Sequence, residues 1–176
     1  MVLQTDPPIN LMNAPASGKI SLLATTYLWF AKAASFLQSP LLLIVRLYWG
    51  WQFFLTGKGK LENLGRIAEY FASLGIPLPY LNAALAGTTE CVGGLLLVLG
   101  LGARLVSLPL TFVLIVAYLT ADLEAVKTLF TNPENFLTAD PFQFLFAVVL
   151  VLAFGPGAFS IDALIARRFR SAKTSR

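Results

Sequence analysis

Residues 40–60 read PLLLIVRLYWGWQFFLTGKGK, an apolar run that is interrupted by one arginine and closed by glycines and lysines. As a helix, residues 40–56 would rise about 26 Å, which is close to the thickness of the hydrocarbon core of a bilayer. Pro40 suits the first turn of such a helix, and the glycines after Thr56 suit its end. The stretch therefore predicts a transmembrane helix that carries Arg46 inside the membrane.

Three further apolar runs predict that the fold is all-α, a bundle of four transmembrane helices. The chain is 57% hydrophobic and only 12% charged, with a mean hydropathy of +0.73. Soluble domains carry about 25% charged residues, so the predicted surroundings of this chain are the lipid bilayer. The further predicted spans are Tyr80–Leu101, Ala103–Ala121 and Pro141–Phe154.

The segments outside the spans carry their own signals. Residues 1–17, rich in proline, predict a mobile leader. Residues 19–38 are apolar and aromatic but contain Lys32, so we expect an N-terminal interfacial amphipathic helix, with a fifth span as the alternative. Asp140 is the predicted N-cap of the fourth span, and Ser160 that of a final basic helix. The predicted domains are 1–39 (leader and interfacial helix), 40–166 (four-helix membrane domain) and 167–176 (basic tail), with a loop helix over 61–75 and a polar loop over 122–139.

Histidine is absent, and Cys91 is the only cysteine. The sequence therefore excludes a CxxC redox couple, a disulfide within the chain, and histidine-ligated haem or zinc, so we predict no metal site. The simplest interpretation of Cys91 is a small buried hydrophobe. The net charge is +4, but the basic residues lie between and after apolar blocks, which is typical of a membrane orientation signal rather than of nucleic-acid binding.

Arg46 and Glu90 lie at bilayer depth in the first and second predicted spans. A charge there costs at least ~2.5–3.5 kcal/mol on insertion scales, so it normally finds a partner. We expect the two side chains to form a buried ion pair in a polar pocket with Trp49, Gln52 and Thr89. The pocket would receive a polar headgroup such as a quinone, with Arg46 donating hydrogen bonds and Glu90 accepting a proton. A pair that only fixes helix register, or no contact at all, are the alternatives.

Glycines share the faces of the two charged residues. Arg46, Gly50 and Gly57 lie on one face of the first helix. On the second helix, Glu90 shares a face with the small residues Ala83, Gly87 and Gly94. In lipid, small residues on one face allow two helix backbones to approach closely. The predicted helix-packing residues are Gly50, Gly57, Gly87, Gly93 and Gly94.

Lys58 and Lys60 follow directly after the first span. The simplest interpretation is that their ammonium groups reach toward lipid headgroups beside the negative end of the helix. The functional alternative is that Lys58 and Lys60 form the mouth of the pocket and attract an anionic ligand.

These stretches resemble the DoxX family of small four-helix bacterial membrane proteins. The resemblance covers residues 41–162 and is carried by the run from Arg46 to Leu61, by LGIP (74–77), ECVGG (90–94), GLGAR (100–104) and FGPGAFSID (154–162). It implies a multi-pass protein of the bacterial cytoplasmic (inner) membrane. Some members are linked to a thiosulfate:quinone oxidoreductase or to a membrane oxidoreductase complex.

The resemblance implies a membrane subunit of a quinone-linked oxidoreductase whose redox centres lie in a soluble redox or sulfur-metabolism partner. Quinone is then the expected ligand, and no cofactor is expected within the chain itself. The alternative is a non-catalytic membrane scaffold or assembly factor in which the buried ion pair is structural. A homo-oligomer is compatible with both interpretations.

The distribution of basic residues predicts that both termini lie in the cytoplasm. With four spans, eight lysines and arginines fall on the side of the termini and four on the other, with Arg46 left out as intramembrane. We expect a reporter fused after Arg176 to be active in the cytoplasm and one inserted near Asn132 to be active outside. The reverse pattern of activities would contradict this orientation.

Overall fold

The computed structural model describes residues 18–174, with side chains over residues 25–169, and the regular structure of this part is helical throughout. The predicted all-α fold is confirmed. The predicted leader over residues 1–17 and the last two residues of the predicted tail lie outside the described residues. In chain order, the helices are α1 (Gly18–Glu62), α2 (Leu64–Ser73), α3 (Pro79–Leu99), α4 (Ala103–Thr120), α5 (Leu123–Lys127), α6 (Pro133–Thr138), α7 (Pro141–Phe154) and α8 (Ile161–Thr174).

Three of the described helices are long and apolar enough to cross a membrane, namely α1, α3 and α4. The fourth, α7, is a shorter apolar helix of 14 residues, about 21 Å long at the usual rise per residue. The ends of α3, α4 and α7 lie within two residues of their predicted positions. The predicted helical membrane bundle is therefore confirmed, and the protein contacts the lipid bilayer through these helices.

The first helix differs from the prediction because α1 runs through Pro40 without a break over 45 residues. The prediction of a separate helix before Pro40 is wrong. Alanine is frequent before Pro40 and leucine is frequent after it, and both are strong helix formers. Transmembrane helices tolerate proline where neighbouring groups satisfy the freed backbone. The interfacial position of residues 19–38 stays a prediction.

The chain divides between Leu37 and Gln38 into two compact units. In the first unit, the described aromatic side chains of α1 are exposed, among them Trp29, Phe30 and Phe36. The second unit contains the hydrophobic core, to which four helices contribute. The core centres on Phe53 of α1, Leu97 of α3, Leu110 of α4, and Val148 and Val151 of α7.

Helices α1 and α3 run antiparallel, and their backbones touch at glycines. A Cβ atom built on Gly50 would lie 2.9 Å from the carbonyl oxygen of Gly94, and one built on Gly94 would lie 2.5 Å from that of Gly50. Gly57 faces the backbone of Gly87 and Cys91, where a Cβ atom would overlap the Cys91 amide nitrogen. Any side chain at these positions would push the two helices apart, so the contact requires glycine.

The connecting segments contain more helix than the sequence predicted. The loop over residues 122–139 folds into α5 and α6, while α2 is shorter than the predicted helix over residues 61–75. The predicted cap at Ser160 is confirmed, because its Oγ accepts a hydrogen bond from the Ala163 amide at 3.1 Å. Asp140 is the N-cap residue of α7 and Pro141 begins the helix, as predicted. The Asp140 side chain makes no capping hydrogen bond, and its backbone angles, φ −50° and ψ −41°, are helical rather than extended.

We expect Gly57→Ala to lower the free energy of unfolding by about 1–3 kcal/mol, because the added methyl group overpacks a backbone contact. Gly59→Ala is a matched control two residues further along α1, where a Cβ atom would meet nothing within 4 Å. This second change should be neutral or should stabilise the helix by roughly 0.5–1 kcal/mol. Denaturation in detergent or lipid measures both variants, and equal effects would contradict the close packing of α1 against α3.

Candidate functional site

The antiparallel register of α1 and α3 places Lys60 beside Glu90. The Lys60 Nζ donates a hydrogen bond to the Glu90 Oε1 at 2.5 Å, which makes the contact a salt bridge. Glu90 is only 3% exposed, whereas the Lys60 side chain is 28% exposed. Gly87, one turn before Glu90 on α3, faces the Cβ of Lys60 and the side chain of Leu61. The small residue leaves room for the lysine to cross from α1 to the carboxylate.

Among the described residues, the second carboxylate oxygen of Glu90 has no hydrogen-bond partner. This oxygen, Oε2, is buried. An unsatisfied buried acceptor typically costs about 1–3 kcal/mol, and more when it is charged, so such atoms are exceptional. The Lys60–Glu90 pair therefore retains one acceptor position that a donor from a ligand can occupy.

Arg46 does not form the predicted ion pair with Glu90. The Arg46 Nη2 donates to the backbone carbonyl of Phe159 at 2.7 Å, and its buried Nε and Nη1 find no hydrogen-bond partner in the part of the chain that the structure describes. The side chain is 1% exposed. Lys60, the partner of Glu90, lies 14 residues further along α1, a separation of about 21 Å along the helix axis. The sequence predicts that Arg46 and Glu90 both lie within the membrane. The antiparallel register of α1 and α3 places them near opposite ends of the contact between these helices.

Asp162 connects the start of α8 to the turn between α3 and α4. Its two carboxylate oxygens accept hydrogen bonds from the amides of Gly102, at 2.8 Å, and Ala103, at 3.1 Å. Its own amide donates to the carbonyl of Gly100 at 3.0 Å. The carboxylate thus caps the N-terminus of α4, where a negative charge is favourable, and it is close enough to attract Arg46 electrostatically.

Sequence reasoning missed the role of Asp162. A signal was present, because Asp162 is the only acidic residue among the many basic ones after Ser160. The glycines before α4 also leave its first amides without a nearby side-chain cap. What the sequence does not give is the spatial proximity of residues 102 and 162.

Of the other predicted pocket residues, Trp49 and Gln52 lie on α1 and Thr89 lies on α3. Trp49 packs against the rings of Tyr48 and Phe144, 5.0 Å between centroids in both cases. Gln52 and Thr89 are half-buried. Lys58 pairs with Glu62 at 3.6 Å, and both side chains are exposed. Of the two lysines predicted at a pocket mouth, Lys60 is thus the one that reaches a buried carboxylate.

Among the described residues, no group of three or more histidine, cysteine, aspartate or glutamate side chains could hold a metal ion. Cys91 is a free, half-buried thiol on α3. Its amide lies at the backbone contact with Gly57. The described residues thus include two buried polar centres that involve charges, the Lys60–Glu90 pair and the cluster formed by Arg46, Asp162 and the Phe159 carbonyl.

Comparison with known proteins agrees with the resemblance seen in the motifs. The family model described as DoxX matches residues 41–123. A Bacillus subtilis protein named "Putative oxidoreductase CatD" is 33% identical over 85 residues, which cover 47% of this chain and 60% of that protein. A Mycobacterium tuberculosis protein named "Uncharacterized membrane protein Rv3486" is 28% identical over 141 residues, covering 73% and 83%. No solved structure is significantly similar to the chain.

A double-mutant cycle tests the pairing. We expect Lys60→Met to lower the free energy of unfolding by about 3 kcal/mol, the low end of the range for breaking a buried pair, since part of the lysine is exposed. Adding Glu90→Leu should recover much of that loss, because the double variant leaves no buried charge. Denaturation of the purified variants gives the coupling energy between the two positions.

The matched control is the cycle of Arg46→Met with Glu90→Leu. Its effects should be additive within about 0.5 kcal/mol, because the two residues share no partner. Strong coupling in this second cycle and additivity in the first would contradict the pairing described above.

Proposed function

Because residues 41–123 form a DoxX domain in a helical membrane protein, we propose that the chain is the membrane subunit of a quinone-linked oxidoreductase. The Lys60–Glu90 pair is the proposed contact for the quinone headgroup. Electrons reach the quinone from a partner, because a chain without histidine and with one cysteine has no thiol couple and no histidine-ligated metal of its own.

The observation that carries this proposal is the buried, unpartnered Oε2 of Glu90 beside a lysine. A structural ion pair is most stable when all its lone pairs and protons are satisfied, and this one leaves an acceptor open. Intramembrane ionisable residues are expensive, and by default they mark ligand or proton pathways. The open acceptor supports a ligand that donates a hydrogen bond at this position.

The pair matches both redox forms of a quinone. A quinone offers carbonyl oxygens, which accept hydrogen bonds from an ammonium group such as that of Lys60. A quinol offers hydroxyl groups, which can donate to the open oxygen of Glu90. Reduction of a quinone consumes two electrons and two protons. A carboxylate and an amine within hydrogen-bonding distance of each other are suited to supply or accept those protons, while the electrons come from the partner.

The partial exposure of Lys60 supports access to the site. Lys60 lies in the last turn of α1, and more than a quarter of its side chain is exposed. A headgroup can therefore approach from the end of the bundle while its apolar tail stays in the lipid. Glu90 itself is buried, which limits the contact of the carboxylate with water.

The name of the Bacillus subtilis relative, an oxidoreductase, agrees with the proposed reaction class, although the match covers 60% of that protein. We place the chain in the bacterial cytoplasmic membrane with both termini inside, as the basic residues predict. The soluble partner would belong to redox or sulfur metabolism, and a homo-oligomer is compatible with the site.

A membrane scaffold or assembly factor is the second candidate. The direct backbone contact between α1 and α3 favours it, because the Lys60–Glu90 pair sits at one end of that contact and would fix its register. In this case, the pair stabilises the bundle and binds no ligand.

We expect a soluble short-chain quinone to raise the melting temperature of the purified wild-type protein. At a concentration 100 times its dissociation constant, the ligand adds about 2.7 kcal/mol to the free energy of unfolding. Glu90→Gln keeps the shape of the side chain but removes the charge, and it should reduce the shift while leaving a folded protein. Differential scanning fluorimetry with and without quinone measures the effect.

Glu62→Gln is the matched control, because Glu62 is an exposed carboxylate two residues after Lys60 on α1. This variant should respond to quinone as the wild type does. If no quinone shifts the melting temperature of the wild type, the quinone proposal fails and the scaffold is preferred. An equal shift in wild type and Glu90→Gln would mean that the quinone binds elsewhere.

A further inference from the structure

Two open grooves flank the N-terminal half of α8, and each combines an arginine with apolar walls. The first has a volume of about 530 Å³ and is lined by Gly102, Arg104, Leu105, Phe154, Gly155 and Asp162, among others. The second, about 390 Å³, is lined by Leu99, Phe159, Ser160, Ile161, Leu164 and Arg167, among others. Neither groove includes Lys60 or Glu90, so both are separate from the proposed quinone site.

Arg104 presents a positive charge to the first groove. Its Nη2 donates to the carbonyl of Ala153 at 3.2 Å, and no other hydrogen bond of its side chain occurs among the described residues. The side chain is exposed. A guanidinium group has five N–H donors in a planar fork, so several remain available for an anion.

Asp162 lines the same groove, but its charge is directed elsewhere. Both of its carboxylate oxygens accept hydrogen bonds from backbone amides at the N-terminus of α4. The positive end of the helix dipole offsets this carboxylate. The guanidinium of Arg104 is therefore the group of the groove that can still attract an anion.

The walls of both grooves are apolar and open to the surroundings. Leu105 is 74% exposed and Phe154 is 58% exposed in the first groove. Leu99, Phe159 and Leu164 are about as exposed in the second. Apolar walls offer no hydrogen bonds to a small hydrophilic anion, but they suit a ligand that has an anionic head and an apolar tail.

The sequence of α8 adds positive charge on the same side. Arg167 and Arg168 are both exposed, and no acidic residue follows Asp162 in the chain. Each arginine near an anionic membrane surface contributes about 1 kcal/mol to binding, and clusters of them mark sites for acidic headgroups.

We propose that the grooves on the two sides of α8 bind anionic phospholipids. The phosphate accepts hydrogen bonds from Arg104 in one groove and from Arg167 in the other. The acyl chains lie against the exposed leucine and phenylalanine side chains of the walls. Lipid bound there holds α8 against the ends of α3, α4 and α7.

The experiment uses the full chain, purified without lipid, with phosphatidylglycerol or phosphatidylcholine added in mixed micelles. Lipid affinity is measured from the concentration dependence of thermal stabilisation and from native mass spectrometry. We expect phosphatidylglycerol to bind at least tenfold more tightly than phosphatidylcholine. Arg104→Gln and Arg167→Gln should each weaken phosphatidylglycerol binding about fivefold, the equivalent of one lost arginine–headgroup contact.

Arg66→Gln is the matched control, because Arg66 is an exposed arginine on α2, outside both grooves. It should change the affinity less than twofold. Arg104→Lys keeps the charge and should retain most of the affinity even if Arg104→Gln fails to fold. Equal binding of the two lipids, or an equal loss in the Arg66 variant, would overturn the proposal. Equal stabilisation by inorganic phosphate would do so as well, since the ligand would then be a soluble anion.

Discussion

The direct backbone contact between α1 and α3 is the constraint on which the arrangement of the polar residues depends. Gly50 meets Gly94, and Gly57 meets Gly87 and Cys91, so that the two helices can pair in one antiparallel register. Within lipid there is no hydrophobic driving force between helices, and close packing of small residues takes its place. A shift of the register by one residue would bring larger side chains to positions where the two backbones leave room only for glycine.

This register decides which charge meets which partner. Lys60 reaches Glu90, while Arg46 lies at the other end of the contact, beside Gly100 and the carbonyl of Phe159. Each buried charged side chain thus makes one hydrogen bond inside the protein, but not all the hydrogen bonds that it would make in water. Among the described residues, Oε2 of Glu90 and the Nε and Nη1 of Arg46 are left without a hydrogen-bond partner. The proposed function depends on the first of these.

Sequence patterns predicted the helices well and their pairing poorly. The apolar runs identified α3, α4 and α7 to within two residues, because hydrophobic length and glycine or proline punctuation act locally. Pro40 was misread as a helix start, because its missing amide is tolerated equally at a first turn and inside a membrane helix. Arg46 and Glu90 were assigned to one pocket because both needed a partner. Whether two charged residues on different helices lie at the same depth depends on the direction and register of the helices, and the composition of one helix does not determine either.

The hydrogen bonds from the start of α4 to Asp162 constrain the order in which the contacts of the protein can form during synthesis. The turn between α3 and α4 is synthesised about 60 residues before the carboxylate that caps it, and Arg46 more than 100 residues before the Phe159 carbonyl. During synthesis, the first amides of α4 therefore lack the carboxylate of Asp162 until the chain reaches residue 162. Only when the segment around residue 160 has left the ribosome can the polar groups at that end of the bundle be satisfied.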